Sequence, residues 1–93
     1  MKNLKELRVE IDRVDGKLLG LLAERMELVE QVGEVKNKLN LALLDESRWL
    51  MVLKDRAKRG KYYGLGYRFT ESFWNLIHQE TLKIEEKQCR QKN

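Results

Sequence analysis

The sequence predicts an all-α protein of three helices, one long, one short and one of medium length, in a single domain of residues 1–93. Apolar residues recur at alternating steps of three and four from Leu4 to Leu39, which is the pattern of one face of a long helix. Two shorter stretches of helical spacing follow, each after a connection rich in polar residues or glycine. The chain also lacks proline, the residue that interrupts helices most strongly.

The first helix is expected to cover Leu4 to Leu39, with Asn3 as its N-cap and Glu6 as the capping-box partner. At 1.5 Å per residue it would be roughly 54 Å long, which exceeds the diameter of a globule of this size. Its apolar seam therefore needs a partner helix. The seam is interrupted at Arg25, and a guanidinium there is costly unless it meets an anion or a paired carboxylate.

The second helix is expected to follow a connection over residues 37–44, with Asp45 as its N-cap, and to run to about Arg59. The third is expected to begin at Thr70 as its N-cap, with Glu71 in the first turn. A loop is predicted between them from glycines and tyrosines, namely Gly60, Tyr62, Tyr63, Gly64, Gly66 and Tyr67.

The net charge of +4 comes from basic and acidic residues that are interspersed along the chain. Proteins that bind nucleic acid usually gather their basic residues on one face or tail, so we expect no nucleic-acid partner. The favoured interpretation of the net charge is a solvated surface, and the second interpretation is an anionic small-molecule substrate. The sequence shows no metal-ligand cluster, glycine-rich phosphate loop or nucleophile–base pair, so we expect no metal and no cofactor.

Two single residues bear on compartment and chemistry. Cys89 is the only cysteine, so it cannot form an internal disulfide. No apolar run has the length of a secretion signal or a membrane span, and we therefore expect a cytoplasmic protein without membrane association. His78 has no plausible metal partner in its helix and is interpreted as an ordinary surface or boundary histidine.

Arg25 and Lys36 lie eleven residues apart, close to three helical turns, so they point to nearly the same side about 16 Å apart. Their long side chains can hold one small anion between them. Arg8 lies 17 residues from Arg25, about 25 Å, which is too far for the same ligand. If two copies cross antiparallel near residues 18–20, Arg8 of one chain lies level with the Arg25–Lys36 interval of the other. Two-fold symmetry then gives two identical sites.

The sequence over residues 4–88 also resembles a known family. The resemblance rests on residues that occur in a fixed order, namely Leu7, Arg8, Ile11, Asp12, Val14, Asp15, Leu18, Leu19, the run 21–25, Val32, Gly33, Lys36, Asp45 and Arg48. This ordered spacing resembles the all-helical (AroQ-class) chorismate mutases. The resemblance implies an intertwined homodimer with antiparallel long helices. It also implies an isomerase that converts chorismate to prephenate without a cofactor, in the context of the shikimate pathway and aromatic amino acid biosynthesis.

The resemblance also implies roles for individual residues. Arg25 and Arg8 of the partner chain would hold the two substrate carboxylates, and Lys36 would donate to the ether oxygen. Asp45 and Arg48 would line the site around the ring hydroxyl.

Three further positions follow from the resemblance. Thr81 stands where relatives often have a serine that contacts a carboxylate. Glu85 stands where they have glutamine or glutamate as a second donor to the ether oxygen, a role that requires a protonated carboxyl group. Trp49 stands where the family usually has the glutamate that binds the ring hydroxyl. This departure leaves open a reduced activity, a substrate that differs at that ring position, a backbone contact to the hydroxyl, or simple core packing of Trp49.

The implied reaction is a one-step pericyclic rearrangement, which needs positioning and electrostatic stabilisation but no nucleophile or general base. Two alternatives remain beside it. The first is an enzyme of the same fold that acts on isochorismate as a pyruvate lyase, or on an amino-substituted chorismate. The second is a helical dimerisation module without catalysis, although Arg25 in the seam argues against a purely structural role.

Overall fold

The computed structural model describes residues 1–91 and the side chains of residues 1–89. Its helices are α1 (Leu4–Lys38), α2 (Glu46–Tyr62) and α3 (Tyr67–Gln91). They contain 35, 17 and 25 residues, and the described part of the chain contains no strand. The predicted all-α class and the order long, short, medium are confirmed.

The N-terminus of α1 is capped as expected. The Oδ1 atom of Asn3 accepts a hydrogen bond from the backbone N–H of Glu6 at 2.9 Å. The side chain of Glu6 contacts the cap by accepting from Asn3 Nδ2 at 3.1 Å, whereas a capping box would use the backbone N–H of Asn3. The helix ends at Lys38 with Leu39 as its C-cap, within one residue of the prediction.

The connection between α1 and α2 is tighter than residues 37–44. Residue Asn40 adopts a positive φ of 55°, and the backbone N–H of Leu41 donates back to the carbonyl of Lys36 at 2.8 Å. The prediction of Asp45 as the N-cap of α2 is confirmed, because its carboxylate accepts from the backbone N–H of Arg48 at 3.1 Å. This cap fixes the start of α2 beside the end of α1.

The predicted loop between α2 and α3 is too long at both ends. Gly60 lies inside α2, which continues to Tyr62, and α3 already begins at Tyr67. Thr70 is therefore not an N-cap, and Glu71 is not in the first turn of α3. The hydroxyl of Thr70 instead donates to the carbonyl of Gly66, one turn back, at 3.1 Å.

Gly60 is a packing glycine, which explains why a helix accommodates it. A Cβ atom built on Gly60 would lie 2.7 Å from Oγ1 of Thr70, closer than side chains can pack. The absence of a side chain lets α2 and α3 approach each other at this point. Gly60 near the end of α2 meets Thr70 near the start of α3, whereas Trp49 in the first turn of α2 stacks on His78 in the middle of α3. The two helices therefore run antiparallel.

We expect Gly60→Ala to lower the free energy of unfolding by about 1–2 kcal/mol. Overpacking typically costs about 1–3 kcal/mol, and the better helix propensity of alanine returns about 1 kcal/mol at most. Urea denaturation measures the change. Lys58→Ala, on the exposed face of the same helix, is the matched control and should change stability little. An alanine variant at Gly60 as stable as the parent would contradict the close approach.

Helix α3 packs against both other helices and carries the small core. Buried apolar residues come from all three helices, namely Val29, Val52, Ala57 and Ile77. At Gly33, a Cβ atom would lie 3.1 Å from Cα of Glu85, so α1 and α3 also approach closely. This second contact sets Glu85 directly against α1.

The first half of α1 projects beyond this core, and the molecule is 57 Å long. Its apolar side is exposed at Leu4, Leu7, Ile11, Val14, Leu18 and Leu21. Soluble monomers rarely leave such a continuous apolar stripe in water. The stripe agrees with the partner helix expected from the sequence, and the antiparallel homodimer itself stays a prediction.

Candidate active site

A cavity of about 200 Å³ lies between the three helices. It is lined by seven of the residues that sequence analysis assigned to a site, namely Arg25, Lys36, Asp45, Arg48, Trp49, Thr81 and Glu85. Arg8 is the exception, because it is exposed on the projecting half of α1. The structure thus brings together every predicted residue except the one that was assigned to a second chain.

Arg25 enters the cavity from α1, where its Nη1 donates to Oγ1 of Thr81 at 2.9 Å. Burial is the main cause that lowers the pKa of Arg25; the positive charge of Arg56 lowers it further and Glu85 opposes both. The guanidinium remains protonated in any case. Its partner is a neutral hydroxyl rather than a carboxylate, so its charge remains available to an anionic ligand.

Lys36 is held at two points on the wall of the cavity. Its Nζ lies 2.7 Å from Oε1 of Glu85 and donates to the carbonyl of Leu43 at 2.6 Å. An ammonium group has three N–H donors and the Leu43 carbonyl takes one of them, so the group can also donate to a ligand. Glu85 is only 3% exposed, and in the free protein its carboxylate pairs with this ammonium. The implied donation from a protonated Glu85 to a substrate stays a prediction.

Asp45 lies at the edge of the cavity, where it also caps α2. Its carboxylate accepts from the backbone N–H of Arg48 and from the hydroxyl of Ser47 at 2.9 Å. These hydrogen bonds, first that of Arg48 and then that of Ser47, lower the pKa of Asp45. Asp45 is therefore ionised at neutral pH, and its position holds Arg48 beside the cavity.

Trp49 and His78 form a stacked pair across α2 and α3. Their ring centroids lie 3.8 Å apart, with an angle of 9° between the planes, and both rings line the cavity. Trp49 is half-buried and forms part of the wall rather than of the closed core.

His78 is half-buried at the boundary, as expected, but sequence analysis missed its place in the site. The available signal was spacing, because His78, Thr81 and Glu85 lie at positions i, i+3 and i+7 on one face of α3. Arg56, from α2, also lines the cavity and was missed. Its position became visible only with the packing of α2 against α3.

The pKa of His78 lies below its ordinary value. Burial is the largest cause; Glu85 raises the pKa, while Arg25 and Lys36 lower it. The imidazole is therefore neutral at pH 7.

This direction predicts a pH-dependent stability. Between the folded pKa of His78 and the unfolded value of about 6.5, the unfolded chain binds more protons. The contribution of the neutral His78 to the free energy of unfolding should therefore be fully present above pH 7. It should decrease as the pH falls through 6.5 toward the pKa of His78 in the folded protein. His78 is the only histidine, so urea unfolding of the parent protein and of a His78 variant at pH 5.5 and 7.5 measures its contribution. His78→Gln should remove this part of the difference, and an unchanged difference would contradict a depressed pKa.

Within residues 1–91, no helix is long and apolar enough to cross a membrane. The same residues contain no group of three or more histidine, cysteine, aspartate or glutamate side chains with the geometry of a metal site. The polar side chains that line the cavity are a lysine, three arginines, two carboxylates, a threonine and a histidine, beside the indole of Trp49. This set suits an anionic ligand that is held by charge and hydrogen bonds.

Comparison with known proteins places these features in one family. The family model described as chorismate mutase type II matches residues 7–86. The bifunctional chorismate mutase/prephenate dehydratase of Aquifex aeolicus is 54% identical over 43 residues, which are 46% of this chain and 12% of that protein. The chorismate mutase of Methanocaldococcus jannaschii is 42% identical over 48 residues, which are 52% of this chain and 48% of that protein.

A third relative covers nearly the whole chain. The 4-amino-4-deoxychorismate mutase of Streptomyces venezuelae is 29% identical over 84 residues, which are 89% of this chain and 81% of that protein. In contrast, the chain spans only 12% of the relative from Aquifex aeolicus and about half of the one from Methanocaldococcus jannaschii.

Proposed function

The chain belongs to the type II chorismate mutase family, and we propose that it catalyses the rearrangement of chorismate to prephenate. The observation that carries this proposal is the ammonium of Lys36. It is fixed by Glu85 and the Leu43 carbonyl on the wall of a cavity that also contains Arg25. This ammonium supplies a positive, oriented donor inside a partly enclosed site. In the cell, the product would feed aromatic amino acid biosynthesis.

Binding of the substrate is assigned to the arginines. Chorismate carries two carboxylates, and a guanidinium recognises a carboxylate through two parallel hydrogen bonds. On binding, the guanidinium of Arg25 would donate to one substrate carboxylate, either in place of the Thr81 hydroxyl or in addition to it. Arg8 of a second copy would hold the other carboxylate. The arginines thereby hold a flexible substrate in the folded geometry from which it reacts.

Stabilisation of the transition state is assigned to Lys36. As the C–O bond breaks, negative charge grows on the ether oxygen, and a fixed ammonium interacts more strongly with that charge than with the neutral ether. Since the rearrangement is pericyclic and shifts its electrons in one cyclic step, no group has to accept or deliver a proton. Glu85 would contribute a second hydrogen bond only in its protonated form, because a carboxylate would repel the developing charge.

The proposal is tested by following prephenate formation from chorismate with the purified chain. We expect an acceleration of roughly 10⁶-fold or more over the uncatalysed reaction, the lower range for enzymes. Lys54→Ala, an exposed change outside the cavity, is the control and should be as active as the parent protein. A folded protein that does not accelerate the reaction would overturn the proposal.

A second candidate is the same rearrangement of a chorismate with an amino group on the ring. Trp49 raises this alternative, because it occupies the position implied for the glutamate that binds the ring hydroxyl and so leaves that contact unassigned. The relative from Streptomyces venezuelae is named for such a substrate. Parallel assays with chorismate and 4-amino-4-deoxychorismate distinguish the two candidates by the ratio of their kcat/KM values.

A further inference from the structure

We propose that the stacked Trp49–His78 pair is the specificity element of the site, in which His78 accepts a hydrogen bond from a hydroxyl on the substrate ring and selects it over an ammonium. This inference rests on the proposed function and adds a residue and a selectivity to it.

The position of the pair within the cavity is the first argument. His78 and Glu85 lie seven residues apart on one face of α3, so about 10 Å separates them along the helix axis. The Lys36–Glu85 pair therefore defines one end of the cavity and the Trp49–His78 stack another. A substrate whose ether oxygen meets Lys36 places part of its ring toward the stack.

The hydrogen-bonding state of His78 is the second argument. Among the residues that the structure describes, no hydrogen bond uses either nitrogen of the imidazole. Stacking covers one face of the ring and fixes its plane, whereas both nitrogens lie on the ring edge. Neither nitrogen is among the described side-chain atoms that are buried without a partner, so both remain accessible to water and to a ligand.

The charges that surround the imidazole are the third argument. Helix α1 contributes Arg25 and Lys36, α2 contributes Arg48, Arg56 and Asp45, and α3 contributes Glu85. Both carboxylates are engaged, since Asp45 accepts from Arg48 and Ser47, and Glu85 pairs with Lys36. The excess charge is positive; burial is the main cause that lowers the pKa of His78, and the charges of Arg25 and Lys36 add to it.

Selectivity follows from these charges. A ring hydroxyl can donate to the neutral imidazole of His78 without adding charge to the cavity. A ring ammonium would enter a region of excess positive charge without a free carboxylate to pair with it. The glutamate that Trp49 replaces would supply such a carboxylate. The chain is thus built for the hydroxylated substrate.

Kinetics of matched variants test the role of His78. His78→Leu should lower kcat/KM for chorismate about five- to tenfold, as expected for one lost neutral hydrogen bond. Asparagine and glutamine place an amide near the positions of Nδ1 and Nε2 respectively, so His78→Asn or His78→Gln should retain most of the activity. Gln79→Leu, on the exposed side of α3, is the control. Full activity of His78→Leu would overturn the proposal.

Substrate choice tests the pair as a whole. The parent protein should prefer chorismate over 4-amino-4-deoxychorismate by at least tenfold in kcat/KM. Trp49→Glu should shrink that ratio at least tenfold, because the new carboxylate can pair with the ammonium. A parent protein that prefers the amino-substituted substrate would overturn the selectivity.

A binding measurement separates this inference from the proposed function. Because His78 is the only histidine, ¹⁵N NMR reports on its imidazole without ambiguity. Prephenate also carries a ring hydroxyl, and adding it at pH 7.5 should shift the resonance of the unprotonated nitrogen upfield. If the protein forms prephenate but this resonance does not move, only the role of His78 fails. If it forms no prephenate, the proposed function itself fails.

Discussion

Replacement of Lys36 by alanine is expected to lower kcat for prephenate formation by about 10²–10³-fold, the effect of losing one donor to a developing oxyanion. The reason is that the ammonium is held by Glu85 and by the Leu43 carbonyl before the substrate arrives, so it needs little rearrangement in the transition state. Single-turnover kinetics with the protein in excess over chorismate measure the chemical step directly.

The same substitution removes the partner of a buried carboxylate, which costs roughly 3–5 kcal/mol when the other charge stays in place. Loss of activity could then reflect unfolding alone. The double variant Lys36→Ala/Glu85→Gln removes both charges and should regain much of the stability, but not the activity. Lys38→Ala, an exposed change two residues further along α1, is the control. A folded Lys36→Ala protein within tenfold of the parent would remove Lys36 from the mechanism.

Mixing two inactive variants is expected to restore activity if the site is shared between chains. Arg25→Ala and Arg8→Ala should each lower kcat/KM by more than about 10²-fold, because each removes charge-assisted hydrogen bonds to a carboxylate. A heterodimer of the two variants has one site with both arginines and one site with neither. Random assortment of equal amounts makes half of the dimers heterodimers, and each heterodimer has one intact site out of two. The mixture should therefore recover about a quarter of the parent activity.

Co-refolding the two variants, followed by an assay of the mixture and of each variant treated alone, measures this recovery. The single variants refolded alone are the controls, because neither can form an intact site. Confirmed heterodimers without recovered activity would show that Arg8 does not enter the site of another chain. Arg8 is exposed and outside the cavity of its own chain, which is the structural reason to expect complementation.

Sequence reasoning succeeded where the determinant is local. Asn3 and Asp45 cap their helices because a short polar side chain reaches the N–H three residues on, whatever packs elsewhere. It failed where the determinant is tertiary. Gly60 breaks no helix, because its missing side chain makes room for Thr70 from another helix. The start of α3 was misplaced because the hydroxyl of Thr70 donates to the carbonyl of Gly66 one turn back and does not cap the helix.

The same distinction between local and tertiary determinants applies to the residues of the site. Arg25 and Lys36 could be paired from spacing on one helix, and the family resemblance supplied the residues of α2 and α3. His78 could not be linked to Trp49, because their stacking depends on how far α2 slides along α3. That register is set by contacts such as Gly60 with Thr70, which no periodicity in the sequence encodes.

The uncovered apolar side of α1 also has a consequence for how the protein is measured. If two copies cover it, assembly and catalysis are linked by mass action, since a separated chain lacks both the covering helix and the second arginine. Dilution below the dissociation constant of the pair would then lower the rate per chain and the resistance to denaturation together. Specific activity, normally independent of the amount of enzyme, would become a function of its concentration.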